Sequence, residues 1–132
     1  GVWHKLALFQ FTKKNLFFDL DIKINDNIDF LTDEWKTFTC VDSTPWKKHK
    51  LKTLAINNDT LINTSIMRWT DNKKVFDRFL KHRDLYLRLY TGIDRFIWNE
   101  GVTHTTFKGS AISSWMEGIE NNTIVLYNGR YV

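Results

Sequence analysis

Cysteine, proline and glycine are all scarce in this sequence. Cys40 is the only cysteine, so no disulfide can form within the chain and no cysteine-rich zinc site can be built. One proline and six glycines leave no stretch with the composition of a linker. No run of about 18 apolar residues occurs, so no membrane span is predicted. We therefore predict a single globular domain over 1–132, long enough to bury its own core.

Sequence patterns of catalytic and metal sites are missing as well. The chain has four histidines, and no two of them have metal-ligand spacing: His4, His49, His82 and His104. No nucleophile elbow, phosphate-binding loop or dinucleotide fingerprint is present. The acidic residues over 19–29 lack the spacing of a calcium loop. Cys40 has no identifiable histidine partner, so we interpret it as a small buried hydrophobe. We expect a protein that is not an enzyme and that binds no metal and no cofactor.

Positive charge is in modest excess, with 19 basic and 15 acidic residues and a pI near 9.2. Basic residues beside an aromatic ring suit single-stranded nucleic acid. The residues that would form such a patch are Trp46, Lys47, Lys48, Lys50, Lys52, Lys73, Lys74 and Arg83. The net charge of +4 is small for that role and no RNA-binding motif occurs. A weak nucleic-acid binder is therefore an alternative to the interpretation given below.

The first part of the sequence is rich in β-formers, and we predict strands at 5–12 and 15–25. In the second strand, apolar residues alternate with polar ones and form one buried face: Phe18, Leu20, Ile22 and Ile24. Residues 32–41 predict a helix that buries Trp35 and Phe38. Further on we predict a strand at 51–56, a polar loop at 57–65 and a strand at 66–70.

The clearest helix is predicted over 70–84. Its apolar stripe faces the core and consists of Val75, Phe76, Phe79 and Leu80. Alternation at 85–90 predicts a strand, and 95–98 predicts another before a turn at 99–101. The end, 123–132, predicts a hairpin around Asn128-Gly129. These elements predict an α+β fold, with a mainly antiparallel sheet and one or two helices.

Tryptophan is unusually frequent, with six in the chain: Trp3, Trp35, Trp46, Trp69, Trp98 and Trp115. Six exceed what one small core requires, and tryptophan is favoured at protein interfaces because it offers a large, rigid contact area. We predict that Trp35 and Trp98 fill the core. We predict that the other three in polar stretches are exposed: Trp46, Trp69 and Trp115.

The middle of the chain resembles a C-type lectin-like domain of the natural-killer receptor and ligand group. The segments that carry the resemblance are "RFLKHRD" at 78–84, "LYLRLY" at 85–90 and "FIWNEGVTHTTF" at 96–107. The resemblance covers 71–132 and implies a lectin-like subclass of the α+β fold, with strands in the last two segments. The family usually has two or more disulfides, which this chain lacks. No "EPN", "QPD" or late "WND" motif occurs, so the resemblance implies no calcium-dependent sugar binding.

These features together indicate a non-catalytic recognition domain that binds a protein receptor. By the resemblance, it would be a viral or immune-evasion ligand or decoy for a host immune receptor. In the resembled fold the strand–turn–strand region faces the partner, and five side chains there are predicted to bind: Arg95, Glu100, His104, Lys108 and Trp115. Trp115 is expected to be the central anchor. The alternative is an intracellular viral or microbial accessory protein that binds a host protein.

Three N-x-[ST] sequons fit an extracellular glycoprotein, with acceptors at Asn58, Asn63 and Asn121. The start at Gly1 suggests a processed or trimmed piece, from which a leader or anchor could have been removed. We expect an extracellular or cell-surface location. A single cysteine suits a reducing compartment equally well, so the cytoplasm is the alternative.

Overall fold

The computed structural model describes residues 2–47 and 60–129. The predicted α+β class is confirmed, although helices are more numerous than expected and the sheets are mixed. The strands are β1 (Asn15–Phe18), β2 (Ile22–Ile24), β3 (Thr39–Asp42), β4 (Ile62–Trp69), β5 (Thr105–Thr106), β6 (Ile112–Ser114) and β7 (Ile124–Leu126). The α-helices are α1 (Thr44–Lys47), α2 (Lys73–Lys81), α3 (Arg83–Leu89) and α4 (Ile93–Asn99). The described residues also form three 3₁₀-helices, Val2–Gln10, Asp29–Thr32 and Trp115–Glu117.

Two small sheets form the framework. The first has the strand order β1-β4-β3-β5 and the second the order β2-β7-β6. The pairs β3–β5 and β6–β7 are parallel, and the other three pairs are antiparallel. Strand β4 lies inside the first sheet, and all of its residues except Asn63 are buried. Both faces of this strand are therefore covered, as expected when packed elements lie on each side of a sheet.

The apolar core falls into two clusters. The larger one lies under the helices and includes Leu6, Phe9, Phe79, Phe96 and Met67. The smaller one lies beneath the second sheet, and its members are Leu31, Val41, Trp46, Ile66, Ile124 and Leu126. Adjacent residues of β4 belong to different clusters, Ile66 to the smaller and Met67 to the larger, because side chains alternate across a strand.

The segment predicted as a strand at 5–12 is instead part of the 3₁₀-helix Val2–Gln10. Trp3, Leu6 and Phe9 recur every three residues, which is the period of a 3₁₀-helix and places them on one face. Leu6 and Phe9 are fully buried. Trp3 stacks on Phe79 with 5.2 Å between ring centroids. The three-residue spacing of large apolar side chains decides this element, and a strand would have split them between two faces.

The predicted strand over 15–25 is wrong as a single element. The chain leaves the first sheet after β1 and joins the second as β2. Backbone hydrogen bonds mark the crossing, from Asp19 N to Ser65 O and from Tyr127 N to Asp21 O. Leu20, predicted to be buried, lies at this crossing and is fully exposed. Alternation is interrupted here because the chain changes the sheet to which it belongs.

The central predictions have a mixed outcome. No helix covers 32–41, since the short helix Asp29–Thr32 ends there and β3 begins at Thr39. The β-branched residues near Thr39 suit the ladder that pairs β3 with both β4 and β5. The strand predicted at 66–70 is confirmed as the second half of β4, and the predicted loop 57–65 is wrong from Ile62 onward. The predicted strand 51–56 lies outside the described residues.

The predicted helix 70–84 is present as α2, followed after His82 by α3. The strands predicted at 85–90 and 95–98 are wrong, because these residues form α3 and α4. Aromatic packing explains the difference. The Tyr86 ring lies 4.9 Å from the Phe96 ring and 6.3 Å from the Tyr90 ring, between centroids. Tyr86 and Tyr90 are four residues apart, so a helix brings their rings into contact, whereas a strand would hold them about 13 Å apart on one face.

The C-terminal hairpin prediction is also wrong within the described residues. Both edges of β7 are occupied, by β2 and by β6, so no edge remains for a further strand. Gly129 has a positive φ of 72° but Asn128 does not, so the turn is not of type I′. Residues 130–132 lie outside the described part. Within the described ranges, none of the helices has the length and apolar character needed to cross a bilayer.

Candidate protein-recognition surface

Helix α3 exposes most of its surface. Tyr86 is the only residue of this helix that is buried. Its three leucines, Leu85, Leu87 and Leu89, are all exposed. A helix that serves only to close a core turns its apolar side chains inward. Helix α3 instead turns one tyrosine inward and its leucines outward.

Leu80 of α2 extends this apolar surface. Leu80 and Leu85 line the same shallow concavity, together with residues 81–84 that join the two helices. Leu89 lies one turn after Leu85 on the same side of α3. The side chains of Leu80, Leu85 and Leu89 are 50%, 50% and 57% exposed. We call these three residues the leucine face.

Positive charge is concentrated on the helices that carry the leucine face. Residues 73–89 contain six basic and two acidic side chains, a formal charge of +4 (6 − 2), which equals the excess of the whole chain. Lys73 is paired with Asp77, and Arg78 with Glu100. Lys81, Arg83 and Arg88 are exposed close to the leucines. The face is therefore apolar at its centre and basic around it.

A network of hydrogen bonds that includes Tyr86 and Tyr90 fixes the position of α3. Arg78 donates from Nε to the Tyr86 hydroxyl at 3.3 Å and from Nη2 to Glu100 Oε1 at 2.7 Å. The Tyr90 hydroxyl donates to Glu100 Oε2. The hydrogen bond to Glu100 raises the pKa of Tyr90 to about 12. Hydrogen bonds from Tyr90 and Arg78 lower the pKa of Glu100. Glu100 was predicted to contact a partner, but both of its carboxylate oxygens are engaged in fixing α3.

The other predicted binding residues lie on separate parts of the fold. Arg95 is exposed on α4, and Lys108 is exposed just after β5. His104 is half-buried, with its ring 5.9 Å from that of Trp98 and its Nδ1 2.8 Å from Val102 O. Over the described residues, no hydrogen bond, ion pair or ring contact joins any two of the five predicted side chains. The region that was predicted to present them as strand–turn–strand is instead helix α4 followed by a turn.

Trp115 is exposed, as predicted. It is 37% accessible and lies beside the exposed Met116, at the start of the helix Trp115–Glu117. Its indole Nε1 donates to Asn128 O at 2.7 Å. A capping box between Ser114 and Glu117 fixes the turn. Trp115 is thus a rigidly held aromatic side chain, and Met116 and the nearby Ile119 are also exposed.

The remaining tryptophan predictions are mostly wrong. Trp46 and Trp69 are buried, the first in the smaller core cluster and the second in the larger. Trp98 packs against the larger cluster as predicted. Trp35 is half-buried outside both clusters, where it contacts the cations of Lys14 and Arg68.

The predicted glycosylation sites differ in their surroundings. Asn121 is exposed between β6 and β7. Asn63 lies within β4, and its side-chain oxygen accepts a hydrogen bond from Ser65 N at 2.8 Å. Asn58 lies outside the described residues. Of the two acceptors that the structure describes, only Asn121 is freely presented to solvent.

Two kinds of chemical group bear on metal binding and catalysis: clusters of metal-ligating side chains and the thiol of Cys40. Over 2–47 and 60–129, no three His, Cys, Asp or Glu side chains are grouped so that they could hold a metal ion. Cys40 is fully buried, as predicted, and its burial raises the thiol pKa well above the usual range. The thiol therefore stays protonated, which makes it a poor nucleophile.

The leucine face was missed at the sequence level because 85–90 alternates with period two. Two i,i+4 pairs in the same segment also fit a helix, Leu85 with Leu89 and Tyr86 with Tyr90. In a helix, the tyrosines of this segment form one stripe and Leu85 and Leu89 form another. Only one of the two stripes can face the core. That pattern was the available signal for an exposed apolar face.

Comparisons of the chain with protein-family models, with curated proteins and with solved structures found no match. The resemblance to C-type lectin-like domains therefore stays a sequence-based hypothesis, and helices α3 and α4 occupy segments in which it implies strands. Function has to be inferred from the chemistry and shape of the surface itself.

Proposed function

We propose that this chain is a non-catalytic recognition domain that binds a protein partner through the leucine face. The observation that carries the proposal is helix α3, with three exposed leucines and a single buried residue. Clustered apolar side chains on a folded surface mark interaction sites, since water contact with them is unfavourable.

The energetics favour burial of this face by a partner. Fully burying one leucine side chain contributes about 1.5–3 kcal/mol, and Leu80, Leu85 and Leu89 are each about half-exposed. Their burial would therefore contribute a few kcal/mol, which is a useful share of a typical protein–protein affinity.

Shape and charge define the kind of partner. The shallow concavity between Leu80 and Leu85 is lined mostly by polar atoms of residues 81–84, and its two leucines offer an apolar contact to a side chain of the partner. The cations of Lys81, Arg83 and Arg88 favour acidic residues around that side chain. We infer a partner whose contact surface is apolar at its centre and acidic at its rim.

The nucleic-acid alternative has less support. Trp46, the aromatic residue it needs for base stacking, is buried in the smaller core cluster. Lys48, Lys50 and Lys52 lie outside the described residues. Exposed leucines would contribute nothing to phosphate contacts, whereas they account directly for protein binding.

Location and receptor class are separate parts of the proposal. The exposed acceptor Asn121 is compatible with an extracellular glycoprotein. That the partner is a host immune receptor rests on the lectin-like resemblance. If the secreted chain gains no glycan that Asn121→Gln removes, the intracellular accessory protein becomes the preferred alternative.

Site-specific crosslinking tests the proposed surface. A photo-reactive amino acid is placed at Leu85 in one sample and, as a control, at the more fully exposed Leu20 between β1 and β2. We expect one dominant protein crosslinked from Leu85 and not from Leu20, with the crosslink suppressed by excess unlabelled wild-type chain. Equal yields of the same proteins from both positions would refute recognition through α3.

A further inference from the structure

A second concave site shares no lining residue with the leucine face. It is a cleft of about 270 Å³ beside β4 and β5. Its charged side chains are Arg68, Lys108, Asp33 and Glu34, and Phe30 and Phe107 supply apolar walls. The volume is slightly below the range of about 300–1,000 Å³ for drug-sized ligands. The cleft therefore suits a small molecule rather than a segment of a protein.

Arg68 is the unusual residue of this cleft. It lies on the interior strand β4 and is only 6% exposed. Its Nη1 donates to Leu31 O at 2.6 Å and its Nη2 to Thr39 Oγ1 at 3.1 Å, so both acceptors are uncharged. The buried Nε has no hydrogen-bond partner. No carboxylate of the described residues forms an ion pair with Arg68. A buried guanidinium ordinarily has such a partner, because burying a lone charge is costly.

Aromatic rings compensate part of that cost. The guanidinium carbon of Arg68 lies 5.1 Å from the centroid of the Phe107 ring and 5.9 Å from that of Trp35. Cation–π contacts of this kind offset only part of the cost of burying the charge. Burial lowers the pKa of Arg68, and the negative charges of Glu34 and Asp33 oppose that effect. The positive charge of Arg68 is thus incompletely balanced within the fold.

The mixture of charges narrows the ligand class. The positive charges of Arg68 and Lys108 attract an anionic group. Asp33 and Glu34 in the same cleft repel a ligand with several negative charges but attract an ammonium group. The rings of Phe30 and Phe107 favour an apolar group beside the two charges.

We infer that the Arg68 cleft binds a free α-amino acid with an apolar side chain. Arg68 and Lys108 receive the carboxylate, Asp33 and Glu34 receive the ammonium group, and the phenylalanine rings contact the side chain. The inference is independent of the leucine face, since either surface can be altered without changing the other.

Ligand titration followed by NMR tests the inference on the intact chain. Phenylalanine is the probe, and the backbone amides of Thr105–Lys108 and the Trp35 indole are the reporters. Two derivatives each lack one charge: phenylalaninamide lacks the carboxylate and N-acetylphenylalanine lacks the ammonium group. We expect saturable shifts with phenylalanine and at least several-fold weaker binding of both derivatives. Absence of saturable shifts, or equal binding of either derivative or of inorganic phosphate, would overturn the inference.

Substitutions of single charged residues test which of them bind the charged groups of the ligand. Lys108→Met and Glu34→Gln change exposed side chains, so folding should be retained, and each should weaken phenylalanine binding several-fold. Arg68→Met should abolish binding in any sample that circular dichroism shows to be folded. Lys23→Met, on the exposed surface of β2, is the matched control and should leave binding unchanged. If Lys108→Met and Glu34→Gln both bind phenylalanine like the wild type, the inferred charge pairing is wrong.

Discussion

Single side chains take their roles from partners that are distant in the sequence. Glu100 follows an aromatic segment in a turn, so the sequence suggested a free contact residue. Its carboxylate instead bonds Arg78, 22 residues away, and Tyr90, 10 residues away. Arg68 likewise looked like an ordinary strand residue, and only the packing on both faces of β4 buries it. Sequence patterns predict burial by periodicity, but they do not identify hydrogen-bond partners.

The hydrogen bond between Tyr90 and Glu100 should make the free energy of unfolding depend on pH in the alkaline range. The folded-state pKa of Tyr90, about 12, exceeds its ordinary value of 10.0, so its contribution is complete below pH 10 and is lost as the pH approaches 12. Tyr90→Phe removes the group. At neutral pH we expect the variant to be less stable by about 1 kcal/mol in urea unfolding. The difference should shrink above pH 10, and a difference that stays constant would contradict the assigned hydrogen bond.

Phe79 and Leu80 are neighbours on α2 with opposite environments. Phe79 is buried against Trp3, Tyr86 and Phe96, whereas Leu80 is half-exposed. Phe79→Ala should lower the free energy of unfolding by about 3–5 kcal/mol. Leu80→Ala should change it by less than about 1 kcal/mol. Chemical denaturation of both variants measures the two changes in the free energy of unfolding. Losses of similar size would mean that Phe79 and Leu80 both face the core.

At the scale of elements, long periodic segments were predictable and short ones were not. The amphipathic pattern of α2 gave a correct helix, whereas only the second half of β4, the longest strand, was predicted. Helices α3 and α4 have seven residues each, too short to be stable alone, so tertiary packing of Tyr86 and Phe96 decides them. The helix Val2–Gln10 was missed because its segment was judged by its β-formers and not by the three-residue spacing of Trp3, Leu6 and Phe9.

Helix α3 should be less protected against hydrogen exchange than strand β4. It buries one residue, so few contacts oppose local opening. In hydrogen exchange we expect its amides to exchange much faster than those of β4, which is buried on both faces. Bound partner should slow exchange in α3 and leave β4 unchanged. Equal protection of α3 and β4 in the free chain would show that α3 is part of the cooperative core.

At the scale of the whole molecule, composition predicted the class and not the topology. Strands of two to eight residues pair across long stretches of sequence, as with β2 and β7. Such pairings leave no local signal, and so the change of sheet at Leu20 was not foreseen. The net charge was similarly uninformative until the fold was known. Residues 73–89 carry a formal charge of +4 (6 − 2), and the fold places these residues on α2 and α3.

The affinity of the partner crosslinked at Leu85 is the most direct measurement of recognition through the leucine face. It is compared between the double variant Leu85→Ala/Leu89→Ala and the control Leu20→Ala, with the free energy of unfolding measured for both. The double variant should lose about 2 kcal/mol of binding, roughly thirty-fold in Kd, because two apolar contacts are removed. Its stability should stay within about 0.5 kcal/mol of the wild type, since both leucines are exposed. Equal affinities of the double variant and of Leu20→Ala would contradict the proposed function.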